Sequence, residues 1–231
     1  LMRTAGTGSN FCVADGSVYV RTGEHCLRID VNTGELLAQF TPPKHADGSP
    51  GTWGYIACTD GRLFGSLVNE AHIVKWRYKK GDMSAQYTES TTLFALDAKT
   101  GQELWVYRAA DSIRHNAIAI GDDRVFLIDR PLAEGDRLEA VKDETSSAQA
   151  AGKLLALDVA SGDTVWQSPD DAYGTMLALS PAHDALLMSY QPTRFRLDSE
   201  SGGRLGVYRA STGERLWERQ ADYASRPLIN D

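Results

Sequence analysis

An eleven-residue phrase recurs four times along this chain, and such a repeat commits the whole molecule to an array of one small structural unit. The clearest copy is Ala95-Leu-Asp97-Ala-Lys-Thr100-Gly101-Gln-Glu-Leu-Trp105, and it returns as Ala156-Leu-Asp158-Val-Ala-Ser161-Gly162-Asp-Thr-Val-Trp166. A third copy, Val207-Tyr-Arg209-Ala-Ser-Thr212-Gly213-Glu-Arg-Leu-Trp217, keeps the turn and the tryptophan but has arginine in place of aspartate. The fourth, Arg28-Ile-Asp30-Val-Asn-Thr33-Gly34-Glu-Leu-Leu-Ala38, keeps the turn and has no tryptophan.

In each copy an apolar run breaks at Asp-x-x-Thr/Ser-Gly and then resumes, the pattern of two antiparallel strands joined by a tight hairpin. The aspartate can accept hydrogen bonds from backbone N–H groups just ahead of it, and the glycine supplies the positive φ that a bulged turn requires. Tryptophan falls four residues after the glycine, at one place per unit, as expected of a ring wedged between neighbouring units. Asp30, Gly34, Asp97, Gly101, Trp105, Asp158, Gly162, Trp166, Gly213 and Trp217 are therefore read as structural residues of the repeat.

The turn glycines are spaced by 67, 61 and 51 residues, which suits a four-stranded propeller blade carrying inserted loops. Helical repeats are excluded by runs such as Arg124-Val-Phe-Leu-Ile128, which are rich in β-formers and too short for helices. The spacing predicts strands over 11–14, 17–21, 25–30 and 35–40, then 55–58, 62–67, 92–97 and 103–107. A third set falls over 117–120, 124–129, 153–158 and 164–167, and a fourth over 176–179, 185–190, 204–208 and 215–218. Several of these runs are apolar at every position, as expected where blades stack face to face.

The resulting expectation is an all-β protein, a single propeller domain over residues 1–231 with four-stranded antiparallel blades at 11–40, 55–107, 117–167 and 176–218. Residues 226–231 resemble the first strand of a fifth blade, so the chain is expected to be part of a larger, seven- or eight-bladed propeller with two open apolar faces.

Net charge of -7 argues against nucleic acid as a partner, and no apolar run is long enough for a membrane helix. Cys12, Cys26 and Cys58 all fall in predicted strands and read as buried thiols, with Cys12 and Cys26 too far apart to bridge. His45, His72 and His115 lack any short ligand spacing, so no metal site is assigned.

Alternating strand directions place the second-to-third connections and the blade-to-blade connections on one face of the array. The long insertions at 68–91, 130–152 and 191–203 all lie there, and such loops on a rigid scaffold commonly carry recognition. Residues 133–151, charged and small, read as flexible. Within the blade-to-blade connection at 109–116, Arg114-His115-Asn116 is the most polar trio directly before an inner strand, and Arg226 holds the matching place before the fifth. Arg114, His115, Asn116 and Arg226 are the candidate ligand-binding residues, suited to an anion or a proton; the plainer role is to anchor the loop.

Ala-x-Asp-x-x-Thr/Ser-Gly-x-x-x-Trp resembles the tryptophan-docking repeat of the pyrroloquinoline-quinone-type (quinoprotein alcohol dehydrogenase-like) β-propellers, over nearly the whole chain. The resemblance implies that Trp105, Trp166 and Trp217 pack between blades, a pattern that Ala38 breaks at the first interface. It also implies an extracytoplasmic location and two functional classes. Members of one are dehydrogenases that hold the quinone and calcium for alcohol or sugar oxidation; members of the other are cofactor-free scaffolds, including a lipoprotein of outer-membrane barrel assembly. The chain has no adjacent-cysteine pair and no calcium-loop spacing, which favours a cofactor-free binding or scaffold module. Its partners would then be a protein or small-molecule ligand on the loop-rich face and the remaining blades of the parent chain. Part of a quinone-dependent dehydrogenase is the alternative.

Overall fold

The computed structural model describes residues 11–69, 89–121, 123–131, 152–190 and 203–223. Fifteen strands and no helix are found among them. Blade 1 is β1 (Phe11–Ala14), β2 (Ser17–Arg21), β3 (Cys26–Asp30) and β4 (Leu36–Phe40), paired in that order. Blade 2 is β5 (Trp53–Thr59), β6 (Arg62–Val68), β7 (Glu89–Asp97) and the first part of β8 (Glu103–Ile120). The second part of β8 opens blade 3, which continues through β9 (Arg124–Arg130), β10 (Gly152–Asp158) and β11 (Thr164–Ala172). Blade 4 is β12 (Met176–Ser180), β13 (Ala185–Ser189), β14 (Arg204–Arg209) and β15 (Arg215–Gln220). All pairings are antiparallel, so the array is an all-β run of propeller blades.

Two-residue hairpins close the innermost turns of blades 1 and 2. Asp15-Gly16 and Asp60-Gly61 both have positive φ at both residues, the geometry whose twist matches the flanking strands. In the repeated phrase, Asp97 Oδ1 accepts from Lys99 N and Thr100 N at 3.1 and 2.7 Å, and Gly101 N donates to Asp97 O at 2.8 Å. Asp30 and Asp158 hold their turns in the same way. Where arginine replaces aspartate in blade 4, the cap comes from elsewhere: Asp184, in the neighbouring turn, accepts from Ser211 N at 2.7 Å and from Ser211 Oγ at 2.6 Å.

The core is three separate layers, one in each gap between blades. Alternate residues of one strand enter different gaps, as the pleat dictates. On β7, Phe94 and Leu96 pack toward blade 1 while Leu93 and Ala95 pack toward blade 3. On β9, Val125 and Leu127 face blade 2 and Phe126 and Ile128 face blade 4. Strands apolar at every position are thus buried on both sides.

The tryptophans close two of these gaps. Trp105 Nε1 donates to Val159 O at 3.0 Å, and its ring lies where a β-carbon on Gly162 would be 2.7 Å away. Trp166 repeats the arrangement on Ala210 O, at 3.0 Å, and on Gly213. Both turn glycines have φ near +75°, so a side chain there would be strained as well as blocked. Trp217 stands 42% exposed. At the opposite end of the array Phe11 and Val13 are exposed on the face of β1 turned away from blade 2.

The largest departure from the sequence reading lies between blades 2 and 3. The expected loop at 109–116 is part of β8, an 18-residue strand whose first part pairs with β7 and whose second pairs with β9. Its kink is supported by Asp129, buried on β9, which accepts from Ala110 N at 2.7 Å and Asp111 N at 3.0 Å. With those amides satisfied, the chain crosses from one blade to the next without leaving the sheet. β11 likewise runs on to Ala172, past the expected end at Gln167. Arg226, residues 226–231 and the segment 133–151 lie outside the described residues.

Candidate functional site

A cluster of buried polar groups lies where β6, β7 and β8 meet between blades 2 and 3. They come from three neighbouring strands, near the level at which the inserted loops begin. β7 starts there with Glu89 and Ser90, β6 ends there after Ser66, and the kink of β8 brings Ser112, Arg114 and His115 to the same level. Each of these side chains is at most 2% exposed.

Two connected sets form. Glu89 and Arg114 are cross-strand neighbours, and Arg114 Nε lies 2.7 Å from Glu89 Oε1. Ser112 Oγ donates to the other carboxylate oxygen at 2.9 Å and accepts from Asn69 Nδ2 at 3.2 Å. A buried pair of this kind holds its geometry because neither charge can be left alone in a medium of low dielectric. In the second set, Tyr55 N donates to Ser66 Oγ, Ser66 Oγ meets Ser90 Oγ, and Ser90 Oγ meets His115 Nε2, every step at 2.7 Å. A consistent proton order runs outward from the Tyr55 amide, with each hydroxyl donating to the next and Nε2 accepting. Gly54 makes room for it: a β-carbon there would lie 2.7 to 2.8 Å from Ser66 Oγ, Ser90 Oγ and His115 Nε2.

Of the residues singled out from sequence, Arg114 and His115 are brought to this place, while the neighbouring Asn116 is half-buried in the same strand. The trio sits inside β8, with Arg114 and His115 directed into the protein. The sequence reading missed Glu89, Ser66, Ser90 and Asp129. Glu89 carried a usable signal, since an acidic residue opening a run destined for burial needs a cationic neighbour. Tyr107, beside Asp129, has its hydroxyl pKa pushed up by burial and then by that carboxylate, to which it donates at 3.2 Å.

These donors do not make a calcium centre. Calcium takes about six to eight oxygen ligands, whereas Glu89 is engaged by Arg114 and Ser112, and Asp129 by two amides and Tyr107. Among the described residues no three His, Cys, Asp or Glu side chains converge to hold an ion.

Four-stranded antiparallel blades, joined in series and closed by a ring over a turn glycine, define a β-propeller of pyrroloquinoline-quinone-type repeats. The chain belongs to the family described as "Outer membrane protein assembly factor BamB", which matches residues 27–227. Among solved structures it is similar to a europium-containing methanol dehydrogenase, with a TM-score of 0.55 and 16% identity over 90% of this chain and 40% of that one. It is similar also to the quinohemoprotein alcohol dehydrogenase ADHIIG from Pseudomonas putida HK5, with a TM-score of 0.54 and 17% identity over 92% of this chain and 34% of that one. At these identities the likeness is one of fold, and the chain spans about two fifths or less of either protein. No curated protein sequence matches the chain.

Proposed function

We propose that the chain is a binding and scaffold module of an extracytoplasmic propeller, taking a protein or small-molecule ligand on its loop-rich face. The observation that carries this reading is the mutual engagement of the polar groups beneath that face. Glu89 with Arg114, the chain from Ser66 through Ser90 to His115, and Asp129 with the β8 amides fasten the strand ends from which the inserted loops spring. Groups committed to one another in this way fix a surface, and recognition falls to the loops mounted on it. Membership of a family described by an assembly factor supports the same reading. Exposed Trp217, at the place where Trp105 and Trp166 dock, is offered to a further blade.

The test is to incubate the protein with pyrroloquinoline quinone and calcium, following quinone absorbance and dye-linked alcohol oxidation. Neither uptake nor turnover is expected. Stoichiometric uptake with turnover would replace the scaffold reading by a dehydrogenase.

A further inference from the structure

The gap between blades 1 and 2 carries two cysteines near its inner rim. The innermost strands β1 and β5 pack directly against one another there. Cys12 on β1 and Cys58 on β5 are both half-buried and rest on the same apolar cluster, which includes Tyr19, Cys26 and Ile56. The pleat turns Phe11 and Val13 outward and leaves Cys12 facing blade 2, while Ile56 and Cys58 face back toward blade 1. Sequence reading weighed Cys12 against Cys26, two strands away in the same blade, and passed over the cysteine of the next blade.

Cys12 and Cys58 thus face one another's blades from adjoining inner strands, packed on one apolar cluster. The neighbouring Cys12 holds the Cys58 thiol below its ordinary range, while Cys58 and then burial push Cys12 up. Cys26 is pushed up to about 12, by burial first. The cluster therefore contains two half-buried thiols at its rim and one buried thiol, Cys26, in the core.

We propose that Cys12 and Cys58 are a redox modification site, joined by thiol–disulfide exchange into a covalent clasp between the first two blades. The Cys58 thiolate attacks a small external disulfide, such as oxidised glutathione, and one thiol of that reagent leaves. Cys12 then attacks the mixed disulfide at the Cys58 sulfur, giving up its proton, and the second thiol leaves. One intramolecular S–S bond forms, the reagent's S–S bond is reduced to two thiols, and two protons and two electrons pass from the protein to the reagent. Half-burial at the rim admits a small disulfide, and full burial of Cys26 keeps the third thiol out.

The test uses the whole chain. After equilibration with oxidised glutathione, and with alkylation of remaining thiols in denaturant, the free thiols should fall from three per chain to one. Peptide mapping should find residues 12 and 58 linked within one chain, with the mass lowered by two hydrogens, and dithiothreitol should restore all three thiols. Cys26→Ser should go from two free thiols to none, whereas Cys12→Ser and Cys58→Ser should form no intramolecular link. Three free thiols after oxidation, a link that includes Cys26, or a link only between two chains would each overturn the proposal. The map of the unmutated protein decides the matter even if a variant fails to fold.

Discussion

The gap between blades 1 and 2 and the gap between blades 2 and 3 do the same work with different residues. In the second, the aromatic ring of Phe64 on β6, the small Ala95 on β7 and Trp105 on β8 lie side by side across the sheet. The gap between blades 3 and 4 repeats this with Phe126, Ala156 and Trp166. In blade 1 the row reads Tyr19, Arg28, Ala38, so the bulk has moved from the outer strand to the middle one. Tyr19 holds the place of Phe64, and its hydroxyl donates to Ala98 O at 3.1 Å, the carbonyl equivalent to the one that takes the tryptophan N–H elsewhere. Phe40 fills the remaining place, lying where a β-carbon on Gly101 would be 2.4 Å away. A carbonyl to satisfy and a bare glycine to cover are what the interface requires, and a Tyr-Phe pair meets both demands as a single tryptophan does.

Truncating the wedges is the sharpest way to break that equivalence. Trp105→Ala should lower unfolding free energy by about 3–5 kcal/mol, because the ring is almost wholly buried over Gly162. Trp166, only partly buried, should lose less, and Trp217→Ala should change unfolding free energy by under about 1 kcal/mol. Equal losses at all three would show that the wedges do not act through the gaps they close. If Phe40 truly stands in for a tryptophan, Phe40→Ala should cost about 3 kcal/mol by chemical denaturation, and a loss like that of Trp217→Ala would sink the parallel between the gaps.

A finer test moves the bulk back. Ala38→Trp alone should destabilise by about 1–3 kcal/mol through overpacking beside Arg28. Combined with Arg28→Ala, which restores the small residue found at Ala95 and Ala156, the two changes should couple favourably by about 1 kcal/mol in a double-mutant cycle. Additive losses would mean that Arg28 and Ala38 are unrelated substitutions. Tyr19→Phe keeps the ring and removes only the bond to Ala98 O, so about 1 kcal/mol is expected.

The blades were legible in the sequence because the phrase repeats and its turn has a local cause. Asp97, Thr100 and Gly101 hold the turn by hydrogen bonds among themselves, so neighbours in the chain suffice to read it. The exchange of Ala38 for Phe40 and Tyr19 was visible in part, since the phrase that lacks tryptophan also begins with Arg28 in place of alanine. The kink of β8 was not legible. Its stability comes from Asp129, some 18 residues away on the next strand, and a polar trio before an inner strand reads as a loop unless that carboxylate is known to cap it. The pairing of Cys12 with Cys58 was hidden for a similar reason, because contact between blades is set by stacking and leaves no local pattern.

The smallest expected effect concerns the turns themselves. Asp97 is held below the usual carboxylate range, first by the Thr100 hydroxyl and then by the Thr100 amide, and Asp30 and Asp158 are lowered chiefly by backbone N–H groups of their own turns. A carboxylate lowered on folding stabilises the protein above its unfolded pKa, near about 4, and that contribution is lost as pH falls through the lower folded value. Stability should therefore decline below about pH 4, and Asp97→Asn, which can still accept from the turn amides but cannot ionise, should flatten part of that decline. In blade 4 the phrase has Arg209 at this place, and its contact with Asp184 is exposed and long at 3.8 Å, so Arg209→Asn should leave the acid limb unchanged. Denaturant midpoints measured from pH 7 to pH 3 for the two variants would separate the cases: curves of the same shape for both would show that the phrase aspartates do not set the acid sensitivity of the blades.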